Sequence, residues 1–252
     1  MFGSSFSRSF RMGERPGISQ AQIAATANIW YDAASPSYFQ PTNPSNGGSI
    51  TQWNDRSAAA HNASPSGGAN KPTYTTPALN GYGAVNFTGT QNLQIINVGT
   101  WAASKGGFAM FIVAKMNTNT TGVRTLSQSD TGGFQLQWNS GTFQTTAASG
   151  TGTATLTADN NWHIYTQLFD GSQTGNANRL KFRYDGTDKT LNFGATTVGT
   201  TTNASTSKMF FGWDGTSNYW LGNIAEVLLF TSAQNSTQVG LIEGYLKNKW
   251  AL

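Results

Sequence analysis

The feature that most constrains this fold is a long series of short segments in which apolar and polar side chains alternate. Residues 134–138, Phe-Gln-Leu-Gln-Trp, alternate at the period of two that is typical of a half-buried strand. Gly, Asn and Pro separate such segments, and Asp170-Gly171 is a strong turn signal. The segment 108–115 is almost wholly apolar and is predicted to be a central strand. The pattern predicts an all-β fold, a two-sheet antiparallel sandwich.

Charged residues make up only 10% of the 252-residue chain, against about 25% in an average globular protein. The surface is therefore predicted to carry Thr, Asn, Ser, Gln and Gly, which suits a protein outside the cytosol. The formal charge is +4, but the basic residues are scattered, so we predict no specific nucleic-acid binding. The chain has no cysteine, which excludes disulfides, thiol catalysis and Cys-ligated zinc.

Two parts of unequal length are predicted along the chain, an N-terminal arm at residues 1–27 and a sandwich domain at residues 28–252. The arm spaces aromatic and basic side chains, which fits either a docking segment or a mobile tail. The docking candidates are Phe2, Phe6, Arg8, Phe10, Arg11 and Arg15. Within the arm, residues 19–25 are predicted to form a short helix with Ser19 as its N-cap.

A helix is predicted to close the domain at about residues 236–249, with Ser236 as its N-cap. Its apolar face consists of Val239, Ile242 and Leu246 at helical spacing. Glu243 and Lys247 are spaced for an i,i+4 ion pair on another face. Trp250 is expected to pack against the sandwich.

Several short motifs carry a family resemblance. In chain order they are Trp30-Tyr31-Asp32-Ala33, Trp53-Asn54-Asp55-Arg56-Ser57, the Ile-Ala-Glu-Val of residues 224–227, and Tyr245-Leu246-Lys247-Asn248-Lys249-Trp250. Together they resemble the laminin-G-like branch of the concanavalin A-like lectin/glucanase jelly rolls, from about residue 29 to the C-terminus. The resemblance implies a jelly-roll sandwich with one C-terminal helix. Such domains occur in bacterial surface proteins and in phage virion proteins, and the fold hosts lectins, adhesins, hydrolases and structural modules.

The acidic residues argue against a polysaccharide-cleaving activity. Hydrolases among the similar domains carry Glu-x-Asp-x-x-Glu on one strand, which places carboxyl groups on one face. No stretch of this chain matches that pattern, and Glu226 is alone on its strand, where it is expected to pair with a neighbour. The two histidines, His61 and His163, belong to no recognisable motif. We therefore predict that the chain is not an enzyme.

No cofactor is predicted, and calcium is the one ion considered. Loop oxygens hold it in related domains. The aspartates of suitable type are Asp55, Asp130, Asp159 and Asp214. They are not clustered along the sequence, so turn-forming roles are preferred and no metal site is predicted.

The segment 213–220, Trp-Asp-Gly-Thr-Ser-Asn-Tyr-Trp, is the best candidate for ligand binding. Aromatic rings there would stack on a sugar, while polar side chains would bond its hydroxyls. The candidate residues are Trp213, Asp214, Asn218, Tyr219 and, more weakly, Trp138. The alternative is a hairpin whose aromatic side chains pack inward.

The chain is expected to act outside the cell without an export signal. Its N-terminus lacks the apolar stretch of a secretory signal, and no membrane insertion is expected. A virus particle, made in the cytosol and released by lysis, fits both properties. The main hypothesis is a non-catalytic virion structural protein, a capsid-decorating or fibre-associated subunit anchored by its arm to other capsid, fibre or tail proteins. The alternative is an extracellular or cell-surface carbohydrate-binding or adhesion module that acts on cell-surface glycans. The resemblance also implies a homo-oligomer.

Overall fold

A computed structural model of the chain describes residues 18–117, 122–130 and 133–252. The strands in chain order are β1 (Ile29–Asp32), β2 (Phe39–Gln40), β3 (Gln52–Trp53), β4 (Thr73–Leu79), β5 (Tyr82–Thr88), β6 (Leu93–Ile96), β7 (Gly107–Met116), β8 (Val123–Ser129), β9 (Phe134–Asn139), β10 (Thr142–Ala147), β11 (Gly150–Thr155), β12 (Trp162–Asp170), β13 (Leu180–Tyr184), β14 (Thr187–Lys189), β15 (Lys208–Phe211) and β16 (Leu221–Phe230). The helices are α1 (Gln20–Thr26), α2 (Gly99–Ala102), α3 (Asn176–Arg179) and α4 (Ser236–Trp250), and Pro36–Tyr38 form a 3-10 turn. The docking candidates of the arm, at positions 2 to 15, lie outside the described residues. No helix in the described part of the chain is long and apolar enough to cross a membrane.

Two antiparallel sheets pack face to face and form the sandwich. Within the described residues the larger sheet has eight strands, in the order β14-β13-β12-β7-β16-β5-β4, with β1 also paired to β16. The other sheet has six strands, in the order β11-β10-β9-β8-β15-β6, and β2 and β3 form a small separate pair. These observations confirm the predicted all-β, two-sheet jelly-roll sandwich with a C-terminal helix.

The eight-stranded sheet is covered on both faces. Its inner face packs against the six-stranded sheet, and α1 and α4 cover its outer face. Alternate residues of β7 therefore contribute to two cores: Met110 and Ile112 lie between the sheets, whereas Phe111 and Val113 belong to the cluster beneath the helices. This double burial explains why the segment 108–115 is apolar at almost every position.

Helix α1 packs on the sandwich, although the sequence places it in the arm. Ser19 is its N-cap, as predicted, and Gln22 completes a capping box. Ile23 is fully buried and belongs to the same apolar cluster as Trp30 and Trp250. Residues 20–26 therefore contribute to the folded domain.

Helix α4 differs from its prediction at its first residue. Asn235, rather than Ser236, is the N-cap, because its side chain accepts a hydrogen bond from the backbone of Gln238. The predicted apolar face is buried, and Trp250 is buried with it.

The predicted ion pair on α4 is replaced by contacts to the sheet. Glu243 is buried; it accepts a hydrogen bond from Thr166 at 3.0 Å and pairs with Arg183 at 2.9 Å. Lys247 instead donates to the backbone carbonyl of Asp185 at 2.8 Å. The helix therefore uses both side chains to attach itself to the eight-stranded sheet.

A β-bulge in β16 decides where Glu226 points. Ile224 and Val227 both face the core between the sheets, three positions apart rather than two. The register against β7 shifts between Ile224 and Glu226, which is how a bulge accommodates one extra residue. Strict alternation would point Glu226 into the apolar core. The bulge turns it toward α4.

Candidate functional site

Two rows of side chains, neutral and polar except for Phe210, cross the outer face of the six-stranded sheet. Cross-strand pairing aligns the first row over all six strands: Gln94, Phe210, Gln128, Gln135, Thr146 and Thr151. The second row consists of Thr125, Gln137, Gln144 and Thr153. Leu136 and Thr145, which lie between the two rows on β9 and β10, are fully buried on the inner side of the sheet, so the period of two places both rows on one face. We refer to these two rows as the amide face; neither contains an ionisable side chain.

Four glutamine side chains on the amide face are joined by hydrogen bonds. Gln137 donates to Gln144, and Gln135 donates both to Gln128 and, at 2.6 Å, to Gln137. Gln128 in turn donates to the backbone carbonyl of Asp214 at 3.1 Å. All four glutamines are half-buried. The amides are therefore held in place while they stay partly open to solvent.

The predicted ligand-binding segment, residues 213–220, lies beside the amide face, and its last residue, Trp220, is fully buried. Phe210 of the first row contacts Trp213 edge-on, with the ring centroids 5.1 Å apart. Trp213 stacks on Tyr219 with centroids 5.9 Å apart and ring planes at 11°, and both rings are half-buried. Since Gln128 also bonds a carbonyl of this loop, the loop and the amide face form one continuous surface.

Asp214 and Asn218 hold the loop itself together. Oδ1 of Asp214 accepts hydrogen bonds from the backbone N–H groups of Thr216, Ser217 and Asn218 at 2.8, 2.9 and 3.1 Å. Oδ2 accepts from the side-chain amide of Asn218 at 2.5 Å. Desolvation alone would raise the pKa of Asp214, but these bonds outweigh it and lower the pKa. The polar groups predicted to contact a ligand are thus used within the turn.

Trp138 lies apart from this surface. It follows Gln137 on β9 and points to the opposite side of the sheet. Its side chain is only 4% exposed and belongs to the core between the sheets. Strand alternation therefore turns its ring away from solvent, where a sugar would stack.

The glutamines of the amide face are not among the residues predicted from the sequence. The available signal was the Gln-x-Gln of residues 135–137 and the later Gln144. Alternation assigns such residues to the outer face but does not show that they lie side by side. That alignment depends on the register between strands, which the sequence does not state.

A second polar cluster surrounds His163 at the start of β12. Its ring nitrogens bond Asp185 at 2.7 Å and Asp159 at 2.8 Å, and its ring stacks on Tyr184. Burial alone would lower the pKa of His163, but the two carboxylates raise it. Desolvation opposes a lower pKa for Asp159, yet hydrogen bonds from His163 and Asn161 lower it to about 2. The adjoining cavity of about 10 Å³ has room for about one water molecule.

The family motifs meet in a buried ionic network beneath α4. Glu226 is 0% exposed and accepts hydrogen bonds from Trp30, Tyr245, Lys249 and Trp250 at 2.6 to 2.9 Å. Burial raises the pKa of Glu226, which Lys249 opposes. Because all four neighbours donate, the contacts suit the carboxylate form.

Asp32 extends this network to the remaining motif. It pairs with Arg56 and, at 2.7 Å, with Lys249. The guanidinium of Arg56 lies 3.7 Å from the ring centre of Trp30. The residues that carry the family resemblance therefore join the helix, the sheet and the loop after β3, and they are not presented to a ligand.

The four aspartates considered as calcium ligands each accept hydrogen bonds from other groups of the protein. Asp55 accepts backbone hydrogen bonds from Trp30, Ser57 and His61. Asp130 accepts from Ser207, and Asp159 and Asp214 have the contacts given above. Across residues 18–117, 122–130 and 133–252, no group of three or more His, Asp or Glu side chains is arranged to hold a metal ion.

No protein-family model matches the sequence, and no curated protein matches it either. Among solved structures the chain is similar to Trypanosoma rangeli sialidase, with a TM-score of 0.58 and 10% identity over 88% of this chain and 32% of that one. It is also similar to the ligand-binding domain of botulinum neurotoxin serotype D in complex with N-acetylneuraminic acid, with a TM-score of 0.58 and 12% identity over 88% of this chain and 52% of that one. A third similar structure is the receptor-binding domain of botulinum neurotoxin type G, with a TM-score of 0.57 and 10% identity over 88% of this chain and 52% of that one. The chain thus spans about a third to about a half of these solved chains. At this identity the likeness shows the fold, a lectin-like jelly-roll sandwich.

Proposed function

We propose that this chain is a non-catalytic glycan-binding module whose amide face holds a neutral, hydroxyl-rich stretch of glycan. The observation that carries the proposal is the hydrogen-bonded line of Gln128, Gln135, Gln137 and Gln144 beside the aromatic pair Trp213 and Tyr219. An amide both donates and accepts, as a sugar hydroxyl does. An aromatic ring face next to such groups is a suitable platform for a sugar ring.

The dimensions and rigidity of the amide face suit an extended ligand. Six strands spaced about 4.8 Å apart make the first row about 24 Å long. The glutamines are already held by their neighbours. Binding therefore costs less side-chain entropy than it would with free glutamines. The absence of ionisable side chains from both rows favours neutral sugars.

The similar structures support a glycan as the ligand class. Two of them are ligand- or receptor-binding domains, and one contains N-acetylneuraminic acid. The binding role is inferred from the amide face, because these structures are too distant to carry function by themselves.

Neither Asp159 nor Glu226 is suited to act as the acid of a glycosidase. A glycosidase needs a general acid whose pKa is raised. Asp159, the carboxyl that lines the small cavity at His163, has its pKa lowered to about 2. Glu226 has a raised pKa but is fully buried among its four donors, out of reach of a substrate.

The test of this function is binding to an array of neutral and acidic oligosaccharides, followed by titration with the strongest neutral ligand. The double variant Gln137→Ala/Gln144→Ala is expected to bind at least about tenfold more weakly, a loss of about 1.4 kcal/mol. Tyr219→Ala should weaken binding in the same way. Gln40→Ala is the matched control, because Gln40 is an exposed strand glutamine on β2. A wild-type chain that binds no neutral glycan, or face variants that bind like the wild type, would contradict the proposal.

As a second candidate we propose a structural role on a virus particle. The Phe and Arg residues spaced between positions 2 and 15 favour it. In this role the module is displayed on the particle surface as a homo-oligomer, attached to capsid, fibre or tail proteins. Because Ile23 of α1 is buried in the folded domain, the deletion that tests it should end at residue 17. Loss of particle incorporation with unchanged glycan binding is the expected result, and a truncated chain that still assembles would exclude the docking role.

A further inference from the structure

A groove of about 490 Å³ lies on the outer face of the eight-stranded sheet, beside the first turn of α4. Ligand pockets in proteins commonly have volumes of 300 to 1,000 Å³. Apolar Leu168 and Val239 contribute to its lining, and so do the polar side chains of Gln173, Asn178 and Gln234. The cross-strand pair Leu168 and Lys181 places the lysine on this same outer face. The groove and the amide face are therefore on opposite outer faces of the sandwich.

Three basic side chains line the groove, and they differ in what they already bind. Arg183 is committed, because it pairs with Glu243 and Asp188. Arg179 donates from Nε to the carbonyl of Gln173 and from Nη1 to that of Val198, both at 2.8 Å. These two bonds fix the guanidinium of Arg179, and neither of them uses Nη2.

Lys181 is the cation that is available to a ligand. Its side chain is exposed, and within the described residues it makes no ion pair or hydrogen bond with another side chain. Two carboxylates also line the groove: Asp170 is bonded to Ser172 and Gln173, and Asp188 is paired with Arg183. The hydrogen bonds from Ser172 and Gln173 and, to a smaller extent, the charge of Lys181 lower the pKa of Asp170 against the opposing effect of desolvation.

The first turn of α4 adds to the positive potential of the groove. Asn235 and Ser236 line it, and α4 has 15 residues. The amino end of a helix of this length carries about half a positive charge. Asn235 caps the N–H of Gln238, which leaves the N–H of Ser236 among the donors that the helix does not use internally.

From this arrangement we infer a second ligand site, separate from the amide face, that binds an acidic sugar unit bearing a carboxylate or a sulfate group. The anion is held between Lys181, Arg179 and the first turn of α4. The sugar ring lies over Leu168 and Val239, and the amides of Gln173, Asn178 and Gln234 bond its hydroxyls.

The test is titration of the full chain, followed by NMR chemical shifts, with four probes: glucuronic acid, glucose 6-sulfate, glucose and inorganic sulfate. The two acidic sugars are expected to shift resonances of β12, β13 and the start of α4, and to bind at least tenfold more tightly than glucose. Raising the salt concentration should weaken the binding of both acidic sugars several-fold, because salt screens the exposed charges. If inorganic sulfate binds as tightly as glucose 6-sulfate, the site is a simple anion site and the sugar assignment is overturned.

The variant Lys181→Glu is expected to reduce acidic-sugar binding at least tenfold, and Lys181→Gln to reduce it less. Lys71→Glu is the matched control, since it makes the same charge change just before β4, at the opposite edge of the sheet from β14. Equal affinity of the Lys181→Glu variant and the wild type would overturn the inference. Gln137→Ala/Gln144→Ala should leave acidic-sugar binding at the groove unchanged, which separates failure of this site from failure of the amide face.

Discussion

The outer faces of the two sheets differ in what covers them and in the polar groups they carry. Helices α1 and α4 cover the eight-stranded sheet, and charged Asp32, Glu226 and Glu243 lie buried beneath them, each with ionic partners. The six-stranded sheet carries half-buried amides on its outer face. A buried charge needs a protein partner, whereas a surface amide exchanges its partner for water or a ligand at little cost. The part of the eight-stranded sheet beneath the helices therefore stabilises the fold, whereas the amide face is suited to binding.

The largest expected effect comes from breaking the network on the covered face. Glu226→Ala leaves two buried indole N–H groups without their acceptor and removes one of the two carboxylate partners of Lys249, and should reduce the free energy of unfolding by about 3–5 kcal/mol. Urea unfolding measures it. Asp188→Ala is the control, because the side chain of Asp188 is 71% exposed in its pair with Arg183, and its removal should cost about 1 kcal/mol or less. A loss below about 1 kcal/mol for Glu226→Ala would contradict the contrast between the faces.

Apolar contacts should show the same contrast. Leu246→Ala removes a fully buried side chain beneath α4 and should cost about 2–4 kcal/mol of unfolding free energy. Ile96→Ala, on the last residue of β6, removes a side chain that is 58% exposed and should change stability by about 0.5 kcal/mol or less. Equal losses in urea unfolding would mean that the outer face of the six-stranded sheet is covered by something beyond the described residues.

The His163 cluster is an intermediate case, in which the charges are paired but partly exposed. The raised pKa of His163 adds stability that is present below about pH 6.5 and lost as the pH rises through the folded-state value. The lowered pKa of Asp159 adds stability that is present above about pH 4 and lost as the pH falls toward 2. The free energy of unfolding of the wild type should therefore exceed that of His163→Gln by the largest amount between about pH 4 and 6.5, a difference of about 1 kcal/mol or less. Urea unfolding of both proteins at three pH values tests this. A stability difference that does not depend on pH would exclude an ionic interaction of His163 with Asp159 and Asp185.

The smallest change in stability is expected on the amide face. Gln137→Ala removes a half-buried amide whose partner Gln144 can bond water instead, so the unfolding free energy should change by about 0.5 kcal/mol or less. Thermal unfolding measures this beside the binding assay. A loss above about 2 kcal/mol would show that the amide line serves the fold rather than a ligand.

The candidate site was predictable only in part. Residues 213–220 stood out in the sequence because aromatic and turn-forming residues occur together there, and the structure places Trp213 and Tyr219 next to the amide face. The glutamines did not stand out, because each looks like an ordinary outward strand residue. The glutamines form a candidate binding surface only because they align across β8, β9 and β10, which are separate segments of the chain.

By itself the sequence determined the local structure of this protein: its strands, the cap of α1 at Ser19 and the apolar face of α4. These follow from side-chain periodicity and capping, which act over a few residues. Only the tertiary structure decided that the bulge in β16 turns Glu226 toward α4, that Glu243 pairs with Arg183 rather than with Lys247, and that the glutamines align. Those outcomes depend on register and packing between segments far apart in the chain. Many weak contacts determine them jointly, and no local sequence pattern specifies them.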